Sequence, residues 1–426
     1  MSLARVAAAA TTVAAGTYDA ATWTAAGSPY LVQGDVTFTQ LTIEAGATVR
    51  VSSSHPGRTN PFSIAVGDLV ITGRPEALAV IEADSDLDAA WNGFSVTASA
   101  AITGAVVRGA ATGIDVSSAA RASIARSVIE RCTIAMTGSQ GPVDVDAVLF
   151  EDISRWGISA GAGALRVTNS VFRAAGQAVM VQYGGTVSVV NCTFEQSLTA
   201  VDFINQRAPA SVTVKNSIIS NNGVATAYNK VQGAQLTIVN TDAWQNTSSF
   251  VGDQVVGENS LSADPLYVGS GDLHLQAGSP CIDKGSADGA PDHDFDFRPR
   301  PRGAAVDLGA YEFDDGSGGS GGAGGGGASG GVGGRAGAAG GAGGAGDAAG
   351  VGGATAGTGG ALSGTGGSAS GGGGSGRAGT SGVSGARATG GGCGCALGRS
   401  RDGAVRGAWL LAALAWMLRG RQRRRR

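Results

Sequence analysis

Apolar positions recur along this chain in columns that advance together. One column reads Val107, Ile129, Phe150, Phe172, Phe194, Ile219 and Ala243. A second reads Ala100, Ala122, Val143, Leu165, Val187, Val212 and Leu236, and a third follows it two residues later as Ile102, Ile124, Val145, Val167, Val189, Val214 and Ile238. The step between members is 21 to 25 residues. Within a repeat the apolar residues alternate with polar ones, as in Val187-Ser188-Val189, which is strand periodicity with one face in and one face out. A further strand per repeat is predicted at Ile114-Asp115-Val116, Ile134-Ala135-Met136, Ile158-Ser159-Ala160, Val179-Met180-Val181 and Val201-Asp202-Phe203. Short strands, polar turns and no helical period are satisfied together if each repeat is one coil and the coils stack. Every strand then pairs in parallel with its counterparts about 4.8 Å above and below. Asn169, Asn191, Asn216 and Asn240 precede one column at the same step, and suit a bend where stacked amides bond to one another and to backbone.

This repeat resembles the right-handed parallel β-helix family, the pectate-lyase-like superfold, over roughly residues 30 to 270. The resemblance implies an all-β, single-stranded right-handed parallel β-helix of roughly ten coils, expected over residues 34–262. Coil ends expose backbone and core, so both need closing. The stretch from Trp23 through Tyr30 to Val36 resembles the N-terminal cap and first coil of bacterial β-helix proteins, and residues 1–33 are expected to supply an N-terminal region and cap. Residues 263–315 carry Asp264-Pro265-Leu266, Leu273-His274-Leu275, Gly278-Ser279-Pro280-Cys281-Ile282-Asp283 and Asp307-Leu308-Gly309-Ala310-Tyr311-Glu312 in that order. That order resembles the closing segment of β-helix surface proteins with choice-of-anchor domains, and implies a segment that closes the far end.

Composition divides the rest. Residues 316–392 are nearly all Gly, Ala, Ser and Thr. Such a stretch buries too little apolar area to offset its chain entropy. As a flexible tether its r.m.s. reach is about 50 Å, and glycine keeps no three-residue period that would make it collagen. Residues 393–426 begin with Cys393-Gly394-Cys395, continue through an apolar run from Ala408 to Leu418, expected as a short helix, and end on Arg419, Arg421 and Arg423 to Arg426. This tail resembles the C-terminal sorting signal of myxobacterial surface proteins. The resemblance implies processing by a dedicated sorting protease at Cys393 and Cys395, export to the cell surface, and contact with the membrane through the tail. The arginines would stay cytoplasmic. The apolar run is shorter than the roughly 20 residues that span a bilayer, so a transient anchor is expected, with a short permanent anchor as the alternative. The run Val6 to Ala15 is only weakly apolar for a signal peptide.

Charge is segregated. Residues 1–315 hold eighteen Lys and Arg against thirty-one Asp and Glu, a net of −13, whereas residues 393–426 hold nine Arg and one Asp. An acidic head argues against nucleic acid as its partner and leaves a polysaccharide or another cell-surface component. Cys132, Cys192 and Cys281 fit no zinc spacing and are expected to be buried thiols.

Catalytic constellations are sparse. His55, His274 and His293 are far apart, and Asn240-Thr241-Asp242, which echoes a polygalacturonase motif, continues the structural asparagine column. Asp292, Asp294 and Asp296 alternate and could gather oxygen ligands for Ca2+, although aspartate is also common in turns. No other cofactor is expected. Two repeats are longer than the rest, which places Asn205, Gln206 and Arg207 in one insertion and Tyr228, Asn229 and Lys230 in the next. Insertions on successive coils emerge on one side and can form a groove, here with amides, an aromatic ring and cations suited to a glycan. Two functions remain open at this point. One is a non-catalytic surface protein for display, adhesion or glycan binding. The other is a polysaccharide lyase or glycoside hydrolase acting on an acidic polysaccharide.

Overall fold

The computed structural model describes residues 10–53, 61–85, 89–203, 210–228, 233–252, 255–257 and 259–314. The tether, Cys393, Cys395 and the apolar run lie outside these residues, and among the described ones no helix is long and apolar enough to cross a membrane.

The chain winds into an all-β parallel solenoid of about ten turns with three faces. Sheet A runs through Thr11–Val13, Tyr30–Val32, Thr48–Val51, Ala79–Ala83 and Ala105–Arg108, and ends at Thr193–Glu195, Ile218–Ser220 and Asp242–Trp244. Sheet B contains Thr112–Asp115, Ile134–Thr137, Thr199–Phe203, Val224–Tyr228 and Ser248–Val251. Sheet C contains Ala164–Thr168, Gly185–Val190, Ala210–Lys215 and Gln235–Val239. Some strands bend through two or three faces without a break. Val143–Ala160 serves sheet C at its start, sheet A in its middle and sheet B at its end.

The sequence columns are the hydrogen-bonded register. Phe150 pairs with Phe172, Phe172 with Phe194, and Phe194 with Ile219, while Val145, Val167, Val189, Val214 and Ile238 pair in turn on sheet C. The three phenylalanine rings lie parallel, with centroids 4.6 and 4.9 Å apart, and all are fully buried. Their spacing is the strand spacing, so the ladder sets the stacking distance and offset rings follow. One sheet B position is shifted by two residues from the sequence reading: Met136, not Ile134, stands in register with Ile114 and Ile158.

Bends repeat as regularly as strands. Between sheets C and A one residue per coil has a left-handed backbone: Arg126, Ala147, Asn169, Asn191, Asn216 and Asn240, all with φ between 47° and 53°. Between sheets A and B the equivalents are Arg131, Asp152, Ala174, Gln196, Asn221 and Gln245. Asparagine tolerates this conformation best. Asn216 also donates its amide to the Asn191 Oδ1 at 3.2 Å, which links adjacent bends.

Coiling begins at Thr11, whose strand pairs with Tyr30–Val32, so the first coil lies within the amino-terminal stretch and the solenoid starts before residue 34. Trp23 from that coil stacks on Tyr30 at 5.1 Å. Residues 263–314 do not sit across the far end. They form a two-stranded antiparallel ribbon, Tyr267–Gly269 with Asp272–Leu275, followed by turns that run back along the outside of sheet A. Arg173 donates to the Gly271 carbonyl at 2.8 Å, Asn191 to the Asp307 carbonyl at 2.9 Å and Asn216 to the Ser286 carbonyl at 2.8 Å. His293 reaches Asp146 at 2.9 Å, and Arg126 lies over the Phe297 ring at 3.5 Å. With Asp242 accepting from the Ala263 amide, the segment touches six successive coils. Leu275, Cys281 and Leu308 pack on Ile218, and Leu273 and Ala310 on Val171, which are apolar residues at the outer side of sheet A.

Candidate functional site

The outer faces differ in chemistry. Sheet A carries a charged row in register, Arg50, Glu82, Arg108, Glu130, Glu151, Arg173 and Glu195. Arg50 meets Glu82 at 3.3 Å, Arg108 meets Glu130 at 3.1 Å, and Arg173 bonds Glu151. Facing opposite charges across strands fix register more than they add stability. Its later coils are covered by residues 263–314. Sheet C presents mainly small hydroxyls, Ser123, Ser188, Thr213 and Thr237, interrupted by Asp144 and Arg166. Asp144 and Arg166 line a cavity of about 290 Å³ beside Asp146, Thr168, Asp292 and His293.

The corner between sheets A and B is different again. Gln196, Asn221 and Gln245 occupy its left-handed position on three successive coils, and all three are exposed. A left-handed residue points its side chain away from the coil, so the three amides form an outer ladder at strand spacing. A second amide pair fixes that ladder from within. Asn222 Oδ1 accepts from the Ser197 amide at 2.8 Å, and Asn246 Oδ1 accepts from the Asn222 amide at 3.0 Å. Beside the ladder, the near edge of sheet B bears Trp156, Gln177, Thr199, Val224 and Ser248 in register on consecutive coils; Thr199 is buried, and Leu198 just before it is the exposed apolar residue of that coil. Leu198 is 43% exposed and Trp156 is half-buried, with the Arg155 guanidinium 3.8 Å from its ring centroid. Gly176 and Gly223 flank Leu198, and a Cβ on either would lie 2.4–2.5 Å from a carbonyl oxygen of the preceding coil. The glycines therefore keep the strip flat. Asp202 stands at its back edge, where burial raises its carboxyl despite a hydrogen bond from Gln177.

Of the residues expected to make a groove, Asn205, Gln206, Arg207, Asn229 and Lys230 lie outside the described residues. Their flanks are described: Phe203 pairs with Tyr228, and Ser211 with Gln235, so both insertions leave from the corner between sheets B and C on adjacent coils. Tyr228 itself is corrected. Its ring is buried, stacked on Phe203 at 5.1 Å, and its hydroxyl donates to the Ala234 carbonyl at 2.5 Å. Tyr228 falls on the inward phase of its strand, so its ring serves the core and spans the turn from inside.

Asp292, Asp294 and Asp296, expected together as Ca2+ ligands, turn to different partners. Asp294 is buried and accepts from the Arg298 and Glu312 amides at 2.8 and 3.0 Å. Asp296 accepts from His274 at 2.8 Å, and the exposed Asp292 contacts His293 at 2.7 Å. Among the described residues no group of three or more His, Cys, Asp or Glu is arranged to hold a metal.

Titratable groups elsewhere are withdrawn from solvent. Asp242 is fully buried beneath residues 263–314, and burial pushes its carboxyl up to about 6 even though the Ala263 amide donates to it. Burial likewise raises Glu195, against Arg173 and a hydrogen bond with Asn221. Cys132, Cys192 and Cys281 are buried thiols, as expected, and burial pushes the Cys192 thiol up to about 12. The amide ladder was within reach of the sequence, since Gln196, Asn221 and Gln245 recur at steps of 25 and 24 residues, the same steps as the apolar columns.

The chain matches the family model of the right-handed β-helix region over residues 156–262, which gives the solenoid its hand. Among solved structures it is similar to one described as the crystal structure of pectate lyase Pel9A, 15% identical, with a TM-score of 0.47 over 70% of this chain and 87% of that one. No curated protein matches.

Proposed function

We propose that this right-handed β-helix is a non-catalytic glycan-binding protein of the cell surface, exported and held there by its C-terminal sorting signal. One observation carries the binding half of the reading. Exposed amides at Gln196, Asn221 and Gln245 run beside Leu198, Val224 and Ser248 on the same three coils, and the Trp156 indole stands two coils earlier on the same edge of sheet B. Amides satisfy sugar hydroxyls as donors and acceptors, and an indole supplies a surface for the apolar face of a sugar ring. A lyase or hydrolase needs an acid or base that meets the polymer. Asp242 and Glu195, whose carboxyls are raised by burial, are instead shut beneath a covering segment.

The binding test is a glycan array with the intact protein and with Trp156→Ala and Gln245→Ala, run alongside assays for reducing ends and unsaturated products. The reading expects retention of at least one glycan class, loss of it in both variants, and no product. Turnover abolished by substitution at any residue of the strip overturns the non-catalytic half. Anchoring is tested separately by Cys393→Ser with Cys395→Ser and cell fractionation. Unchanged surface display and unchanged tail length would refute the sorting half.

A further inference from the structure

The strip just described is directional and, from Gln177 to Ser248, uncharged, and both properties constrain its ligand. We infer that it takes a linear neutral glycan lying parallel to the solenoid axis, one sugar residue per coil, and discriminates against polyuronates. This rests on the glycan-binding reading and deepens it.

Direction follows from the register. Trp156, Gln177, Thr199, Val224 and Ser248 pair in succession on sheet B, so positions recur along the axis at about 4.8 Å, with the exposed Leu198 beside the buried Thr199 on the third coil. Gln196, Asn221 and Gln245 repeat on the adjoining corner of the last three coils. A pyranose in an extended chain advances by a comparable length, so successive rings of an axial ligand meet successive amides. A chain crossing the axis would meet the strip on one coil and leave the other amides unused.

Neutrality follows from what the strip lacks and what surrounds it. On the coils from Gln177 to Ser248, the exposed and half-buried residues of the strip and ladder are amides, hydroxyls, glycines and aliphatics. Its one cation, Arg155, is stacked on Trp156 at the end of the strip. Asp152 holds the exposed corner position on that same Trp156 coil; on the later coils the carboxyls are the buried Glu195, hydrogen-bonded with Asn221, and the half-buried Asp202. Recognition of a uronate in each residue would call for a cation on each coil. The strip offers uncharged amides instead, set in a head of net charge −13 that repels a polyanion at long range.

The test is calorimetric titration of the full chain with graded oligomers, from disaccharide to octasaccharide, of a neutral β-linked glucan and of a matched polyuronate, at low and high salt. Neutral oligomers should bind with affinity rising by severalfold per added sugar to about the pentasaccharide, the number of coils in the strip, and then level off. That affinity should be insensitive to salt. Gln245→Ala should leave the disaccharide unaffected and weaken the pentasaccharide about tenfold, because only the longer ligand reaches that coil. Trp156→Phe keeps a stacking surface and should bind within severalfold of the parent, which separates lost recognition from lost folding. Polyuronate bound more tightly than the neutral series, or affinity independent of length, overturns this inference while leaving the glycan-binding reading intact. No binding of any polymer overturns both.

Discussion

Replacing Phe172 by alanine interrogates the stacked interior directly. Phe172 is fully buried, sandwiched between Phe150 at 4.6 Å and Phe194 at 4.9 Å, and its Cδ1 lies 3.1 Å from where a Cβ on Gly157 would be. A buried Phe→Ala change costs about 3–5 kcal/mol from lost transfer energy and residual cavity. Two stacked partners add about 0.5–1.5 kcal/mol each beyond area, and the cross-strand ladder on both sides prevents the coil from collapsing into the gap. The expected loss is therefore near the top of the range, about 4–5 kcal/mol. Phe172→Leu, which keeps most of the volume, should cost about 1–2 kcal/mol. Urea unfolding followed by far-ultraviolet circular dichroism reads both, with Leu198→Ala as an exposed control expected within about 0.5 kcal/mol. The slope must be unchanged for the midpoints to be compared. A loss for Phe172→Ala no larger than that of the control would refute the claim that this column is the packed interior.

Three further outcomes concern the covering segment. Arg300 and Glu312 form a fully buried ion pair at 2.5 Å, with Glu312 also accepting from the Arg302 and Asp307 amides at 2.9 Å, so Glu312→Leu should strand a buried guanidinium and cost about 3–5 kcal/mol in thermal or urea unfolding. The Asp242 carboxyl titrates near 6 in the folded chain against about 3.9 unfolded, so its ionisation opposes folding; stability should fall as pH rises from about 4 to 6, and Asp242→Asn should flatten that fall when unfolding is measured across the range. His274 is bracketed by Asp272 at 2.6 Å and Asp296 at 2.8 Å, and although burial opposes its charge, those partners raise its pKa. Its contribution is present below about 6.5 and lost as pH rises through the folded value, so nuclear magnetic resonance titration should place His274 above free imidazole, and Asp296→Asn should lower it.

What could be read in the sequence follows from how local each signal is. The three columns were legible because an inward side chain every coil needs only an apolar residue at fixed phase. The bends were legible only in part: Asn169, Asn191, Asn216 and Asn240 announce a left-handed backbone, but Ala147, Ala174 and Asp152 adopt the same conformation without that signature. There the stacked neighbours dictate the backbone and override residue preference. Tyr228 opens the extra length of its coil, but its strand continues to Tyr228 itself, which keeps the ring on the inward phase. Asp292, Asp294 and Asp296 alternate in sequence, but their partners, His293, Arg298, Glu312 and His274, come from the ribbon and turns of a segment with no periodicity. The course of residues 263–314 was invisible for the same reason. Its anchoring partners follow no repeat; Asp146, for example, lies 147 positions before His293.

That backward course changes how the molecule should come apart. In a stacked array each repeat normally senses only its immediate neighbours, so the terminal turn can fray and the rest follow like a zipper. Here the segment that emerges last grips turns formed much earlier, near Arg126 and Asp146, and everything between is bracketed. Loosening the final turns then means tearing off that brace as well, which joins some 190 residues into a single unfolding unit and delays completion of folding until the last of them has been made.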